Sequence, residues 1–197
     1  MNADRPASRN RRRLVLLGLA CVFLVPLAAA FVLYYGTGLR PATTAAHGEL
    51  LAPPVSLPRV ALVGQAGESL PPTLLANTWS LVYLAGNECS AACRIRLDEL
   101  RRVRLALAAD ALRVQRVLLY ARSCCATAIA VGTDLSIAYA GESGRPLLAS
   151  FGRAANSEGS VYLVDPLGNL FMRYAPTVPA RGMLIDLQRL LQLSQIG

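Results

Sequence analysis

The stretch LAGNECSAACRIRLDEL, residues 84–100, places Cys89 and Cys93 four positions apart. It follows an apolar run and opens a helix-like pattern. Three chemistries compete for such a pair. Two thiolates can clamp a soft metal ion such as Cu(I). They can cycle between dithiol and disulfide. They can also form a structural staple in an oxidising compartment. The position favours reactivity. A helix start carries free N–H groups and a partial positive charge, which stabilise a thiolate and lower its pKa. Cys89 lies at or just before that start, the more exposed place, and Cys93 lies about one turn inside. Cys124 and Cys125 are adjacent, and a bond between neighbours is strained. They read as two buried or idle thiols, or as a supporting pair that resolves a mixed disulfide or adds ligands near Cys89. Cys21 sits in an apolar run and reads as a small apolar residue.

Few other residues offer chemistry. The chain has a single histidine, His47, in a segment that reads as a loop, from which it could swing back to supply a ligand. With one histidine, Ser/His/Asp catalysis has nothing to stand on, and no phosphate-binding glycine loop or acid/base carboxylate pair is visible. Trp79 and Tyr83 read as core or rim aromatics, Asp98 and Glu99 as helix-surface charges, and Asp165 as a turn former.

The elements that must position the cysteines are legible in the hydrophobic patterning. TWSLVYLAG, residues 78–86, is continuously apolar and fits a buried central strand. From about Ser90 to Ala109 the positions Leu97, Leu100, Val103 or Arg104, and Leu107 keep helical spacing, with the arginines mainly opposite. VQRVLLYA, 114–121, is a second buried strand. Strand, helix, strand makes a right-handed βαβ unit with parallel strands. Upstream, RVALVGQAGESL reads as a hairpin. Downstream, residues 122–150 are ambiguous, with a short helix, a strand and a further short helix at RPLLASFG as the readings. GSVYLVDPLGNLFMRYAP gives two strands around Asp165–Asn169. ARGMLIDLQRLLQLSQ closes the chain as an amphipathic helix with Met183, Leu184, Leu187, Leu190 and Leu191 on one face. The expected fold class is α/β: a thioredoxin-like central mixed sheet with flanking helices, plus one N-terminal transmembrane helix.

That last helix rests on Leu14–Gly36, a run without a charged residue and long enough to span ~30 Å of hydrocarbon. Pro26 is tolerable in a membrane helix, and Tyr34 and Tyr35 fall where an interfacial aromatic belt belongs. Arg5, Arg9, Arg11, Arg12 and Arg13 precede the run and favour a cytoplasmic N-terminus. The rival reading is a cleaved signal peptide ending at Ala28–Ala30; both readings export the downstream domain. The expected organisation is a cytoplasmic basic tip at 1–13, a transmembrane helix at 14–36, a Pro/Thr/Ala-rich tether at 37–57, and a periplasmic domain at 58–197. The net charge of +8 is no nucleic-acid signal, since five of the 20 basic residues lie in the tip. The cluster Arg94, Arg96, Arg101, Arg102 and Arg104 reads as a solvated helix face. The absence of lysine reads as a bias of genome composition.

A strand, C-x-x-x-C opening a helix, and a later VYLVDPLGNL hairpin together resemble the SCO/SenC family, across most of residues 58–193. The ending LIDLQRLLQLSQIG and the HGELLAPP segment also resemble small inner-membrane proteins encoded with bacterial haem-copper oxidases. The SCO/SenC resemblance implies a membrane-anchored, thioredoxin-like protein that handles copper and thiols during cytochrome c oxidase assembly. It further implies that Cys89 is the attacking thiolate and Cys93 the resolving one, with the cysteine pair of the oxidase copper centre as one target. The partners implied are an oxidase subunit or its assembly factors, at the bacterial inner membrane. The family also binds copper, through both cysteines and a histidine shortly before the last hairpin. Here that place, near Ser157 in AANSEGSVYLV, holds no histidine. Copper as a ligand of Cys89 and Cys93 is therefore an alternative to thiol–disulfide exchange, which needs only the two sulfurs. A non-catalytic assembly scaffold is the third reading.

Overall fold

In a computed structural model of the protein, residues 7–36, 46–85, 88–121, 134–152 and 159–194 are described. They form two compact units, which divide the chain between Thr44 and Ala45. The first contains α1 (Ala7–Gly36), a single helix with Pro26 inside it. Its stretch Arg13–Leu33 has a mean hydropathy of 2.7, none of it buried, and is long and apolar enough to cross a membrane. Cys21 is exposed on it, with a free thiol.

The second unit is built on one mixed sheet of eight strands among the described residues. In chain order these are β1 (Glu49–Ser56), β2 (Leu62–Gly64), β3 (Ser69–Leu70), β4 (Trp79–Ala85), β5 (Val114–Tyr120), β6 (Leu135–Tyr139), β7 (Val161–Val164) and β8 (Asn169–Tyr174). Across the sheet the order is β1-β8-β7-β4-β5-β6-β2-β3. The pairs β4/β5 and β5/β6 are parallel and the rest antiparallel. The helices are α2 (Ala91–Ala106), α3 (Arg145–Ser150) and α4 (Ala180–Leu193), with a 3-10 turn at Ala108–Arg113 after α2.

The central strands are apolar at nearly every position because both faces of the sheet are covered. Leu81 and Tyr83 of β4, Leu118 and Tyr120 of β5, and Val161 and Leu163 of β7 point into one core. That core also takes Cys93, Leu97, Leu100, Val103 and Leu107 from the α2 stripe, and Met183, Leu187 and Leu191 from α4. The alternating residues Val82, Leu84, Val117, Leu119, Tyr162 and Val164 enter a second core with Leu147 and Phe151 at α3. Trp79 and Tyr83 are both core residues, 5% and 0% exposed.

Two expectations need correction. The second half of the expected tether is sheet, since residues 49–56 run antiparallel to β8 as an edge strand. Pro53 and Pro54 fall between the Leu50 and Val55 pairings, where the register shifts, and an edge or a bulge is where a strand accepts proline. Just before it, His47 and Gly48 are fastened to α4. Their backbone N–H groups donate to the Asp186 carboxylate at 2.8 and 3.0 Å, and His47 Nδ1 lies 3.1 Å from Asp186 Oδ1. A Cβ on Gly182 would meet the His47 ring at 2.9 Å, so the glycine lets this segment lie against α4. Asp186 is 3% exposed. Burial first, and this carboxylate second, push the Tyr174 hydroxyl above its ordinary pKa.

The second correction concerns the arginine cluster. Arg94, Arg101 and Arg102 are exposed, but Arg96 is 6% exposed. Its guanidinium donates to Glu99 at 2.7 Å and to the backbone oxygens of Val178 and Ala175 at 3.0 and 3.3 Å. It therefore ties α2 to the segment leading into α4.

Candidate thiol site

The site lies where β4 hands over to α2. β4 is pinned between β5 and β7, so its end at Ala85 is fixed. Ser90 is the N-cap of α2: its backbone is extended, at φ −62° and ψ 176°, and its Oγ accepts the Cys93 N–H at 3.2 Å. This is the ordinary way a helix start satisfies a free donor. It sets Cys89 one residue ahead of the cap and Cys93 at the third helical position. Cys93 is held by packing, 1% exposed within the core beneath α2. Cys89 is half-buried and packs against the rim of the same core. The two are joined in a disulfide with Cα atoms 5.2 Å apart.

This arrangement makes the two sulfurs unequal. When the bond is reduced, Cys89 is the sulfur that another molecule can approach, and Cys93 is the one shielded from it. Both sit at the end of α2 where the exposed first turn, Ala91 and Ala92, carries N–H groups and the positive end of the helix dipole. That field favours the thiolate form.

Level with Ala85, β5 and β6 both end in tyrosine. Tyr120 and Tyr139, at the ends of β5 and β6, stack at 5.1 Å. Burial, then the neighbouring Tyr139 and Tyr83 hydroxyls, raise the Tyr120 pKa. The Tyr120 phenol is neutral at physiological pH.

Other expected residues fall elsewhere. His47 belongs to the clasp on Asp186. Asp98 pairs with Arg102, and Glu99 with Arg96. Asp165 holds its turn, accepting the Leu167 and Asn169 N–H groups at 2.9 and 2.8 Å. Cys124, Cys125 and Ser157 lie outside the described residues. Among the described residues, no group of three or more His, Cys, Asp or Glu side chains is placed to hold a metal ion.

Two structural residues escaped the sequence reading. Arg116, 3% exposed on β5, meets Asp134 through two hydrogen bonds of 3.0 and 2.7 Å and donates to Leu97 O at 3.0 Å. Asp186 is the other. Each had a signal: a lone charge inside an apolar strand, and a lone carboxylate in step with Met183 and Leu187 on the apolar face of a helix.

A family model described as a transmembrane-like, thioredoxin-like, C-terminal domain matches residues 79–194. That span covers more than half of the chain and contains the whole thiol site. The chain belongs to this family.

Solved structures place the fold among SCO proteins. Yeast Sco1 with copper bound aligns at a TM-score of 0.58 and 14% identity, over 70% of this chain and 93% of its own. Apo Sco1 from Thermus thermophilus aligns at 0.59 and 20% identity, over 76% and 99%. BsSco, reported with a disulfide switch and as a member of the Sco family of cytochrome c oxidase assembly proteins, aligns at 0.52 and 16% identity, over 72% and 97%. At these identities the likeness establishes a thioredoxin-like, SCO-type fold. No curated protein matches the sequence.

Proposed function

We propose that the protein is a membrane-anchored thiol–disulfide protein acting on a cysteine-containing client during cytochrome c oxidase assembly. The observation that carries this is the unequal pair at the α2 start: a half-exposed Cys89 ahead of the N-cap, bonded to a buried Cys93. In the reduced form, the Cys89 thiolate attacks a client disulfide. A mixed disulfide forms and one client sulfur leaves as thiolate. Cys93 then attacks Cys89, the second client thiolate departs, and the Cys89–Cys93 disulfide results. Two electrons pass to the client, and a dithiol reductant must restore the protein. The oxidase role is drawn from the SCO proteins that share the fold.

The arginine-rich start of the chain and the apolar span support an N-terminus in the cytoplasm, residues 1–13 as a tip, and the thiol domain in the periplasm of a bacterial inner membrane. The experiment is anaerobic. The reduced full chain is mixed with a peptide carrying a disulfide-bonded cysteine pair, and free peptide thiols are counted. Two thiols released per protein disulfide formed support the reading. A Cys89→Ser variant that reduces the peptide as fast as the parent would refute it.

A second reading is Cu(I) delivery, favoured by the two soft sulfurs that reduction frees from their bond at one helix end and by SCO structures solved with copper. Stoichiometric Cu(I) uptake by the reduced chain, lost in Cys89→Ser, would support it. Uptake unchanged in that variant would exclude it.

A further inference from the structure

The first turn of α2, Ala91–Arg94, runs against helix electrostatics. The positive end of the helix dipole favours acidic residues there and disfavours cations. α2 has no acidic residue in its first turn. Arg94 closes that turn, its backbone N–H donating to Ser90 O at 3.1 Å. Arg94 is exposed, so burial does not offset the misfit. Charge pairing does not offset it either. Among the described residues its guanidinium has no ion-pair partner. Asp98, one turn further on, is taken by Arg102, and Glu99 by Arg96. Glu88, exposed just ahead of Cys89, is not joined to it. An unpaired cation kept where the helix disfavours it is free to meet charge on another molecule.

Its place in the fold says which molecule. Arg94 directly follows Cys93, and the Cys89 and Cys93 Cα atoms are 5.2 Å apart. The Arg94 Cα therefore lies within about 9 Å of the Cys89 Cα. At physiological salt the Debye length is about 8 Å, so the charge is felt at the Cys89 sulfur. Arg101 is also exposed and unpaired, two turns further along the same flank of α2. That is about 10 Å more along the axis, and its charge is screened from the sulfur. We propose that Arg94 determines which disulfides the thiol site accepts, favouring a client cysteine flanked by aspartate or glutamate. The attacking thiolate is an anion and repels an acidic client. Arg94 counters that repulsion and draws the acidic segment to Cys89. The selection is electrostatic, so it acts on the encounter rate. This inference rests on the thiol-exchange reading and extends it to the charge of the client.

The test uses the reduced full chain in micelles of an uncharged detergent. Two peptides each carry a cysteine capped as a disulfide with 2-thiopyridine, an uncharged cap. In one the cysteine is flanked by aspartates, in the other by asparagines of nearly the same shape. Cys89 attacks the peptide sulfur and a Cys89–peptide disulfide forms. Thiopyridine, the better leaving group, departs with the electron pair of the broken S–S bond, takes up a proton and is read by its absorbance. The rate due to Cys89 is the parent rate less that of Cys89→Ser. At about 0.01 M ionic strength, where the Debye length is ~30 Å, the aspartate peptide is expected to react about fivefold faster than the asparagine peptide. At about 1 M, where that length is ~3 Å, the ratio falls to about one. Arg94→Gln is expected to lower the low-salt ratio about twofold or more, whereas Arg94→Lys, which keeps the charge, and Arg101→Gln preserve it. A low-salt ratio that is the same in Arg94→Gln and parent overturns the assignment, as does an equal loss in Arg101→Gln. If Cys89→Ser releases thiopyridine as fast as the parent, the thiol reading fails and this inference falls with it. Release that depends on Cys89 but shows no preference for the aspartate peptide sinks this inference alone.

Discussion

Cys89 and Cys93 carry different burdens although they share one bond. In the proposed exchange the half-buried sulfur meets the client, and the buried one ends the reaction. Removing each should therefore give different products. With a cysteine-capped client peptide, Cys93→Ser is expected to accumulate a mixed disulfide with the peptide, visible as an added mass, whereas Cys89→Ser accumulates at least tenfold less. Equal trapping by both variants would contradict the difference in burial. The charged core residues make a second prediction. Hydrogen bonds from Arg116, more than its charge alone, hold the Asp134 carboxyl below its ordinary pKa. A depressed carboxylate adds stability that is present above the unfolded value of about 4 and is lost as pH falls through the folded value. Urea midpoints, followed through the single tryptophan, Trp79, should fall with acid below about pH 4 more steeply for the parent than for Asp134→Asn. Parallel profiles would show that the pair contributes no such stability.

At the scale of elements, the thiol site depends on how α2 begins and where it is pressed. The Ser90 cap fixes the first turn, and Leu100, 0% exposed, fixes the helix on the sheet. Ser90→Ala should cost about 1 kcal/mol of stability, and Leu100→Ala about 2–5 kcal/mol, both measured by urea unfolding. A Leu100→Ala loss below about 1 kcal/mol would mean that α2 is not seated as described. The helix stripe Leu97, Leu100, Val103 and Leu107 was legible from spacing alone, as were β4, β5 and the hairpin around Asp165. Their apolar runs are long and their turn residues specific. What spacing could not show was that Arg96 faces inward. Its partners, the Ala175 and Val178 carbonyls, come from a segment 79 and 82 residues away.

Across the whole molecule, the thiol domain begins earlier than composition suggests. A tether and an edge strand share the same proline-rich chemistry, and only β8 supplies the hydrogen bonds that make residues 49–56 a strand. The Asp186 clasp fixes the point at which the chain enters the domain. Asp186→Ala leaves the His47 and Gly48 N–H groups without their acceptor and is expected to cost roughly 1–3 kcal/mol. It should also speed hydrogen exchange at residues 46–56, and unchanged exchange there would show that the clasp does not hold the strand. The apolar α1 helix predicts that the full chain stays with membranes through alkaline carbonate extraction. Release into the supernatant would exclude an uncleaved anchor.

The sequence by itself determined the periodic features. These were the apolar span, the buried parallel strands, the amphipathic helices and a cysteine pair at a strand-to-helix turn, because each is written in residues close together in the chain. Tertiary structure decided that Arg96 faces inward, which distant groups Arg96 and Asp186 bind, and that the proline-rich segment pairs with β8. Hydrogen-bond partnership is set by residues distant in the chain, and local patterning carries no record of it.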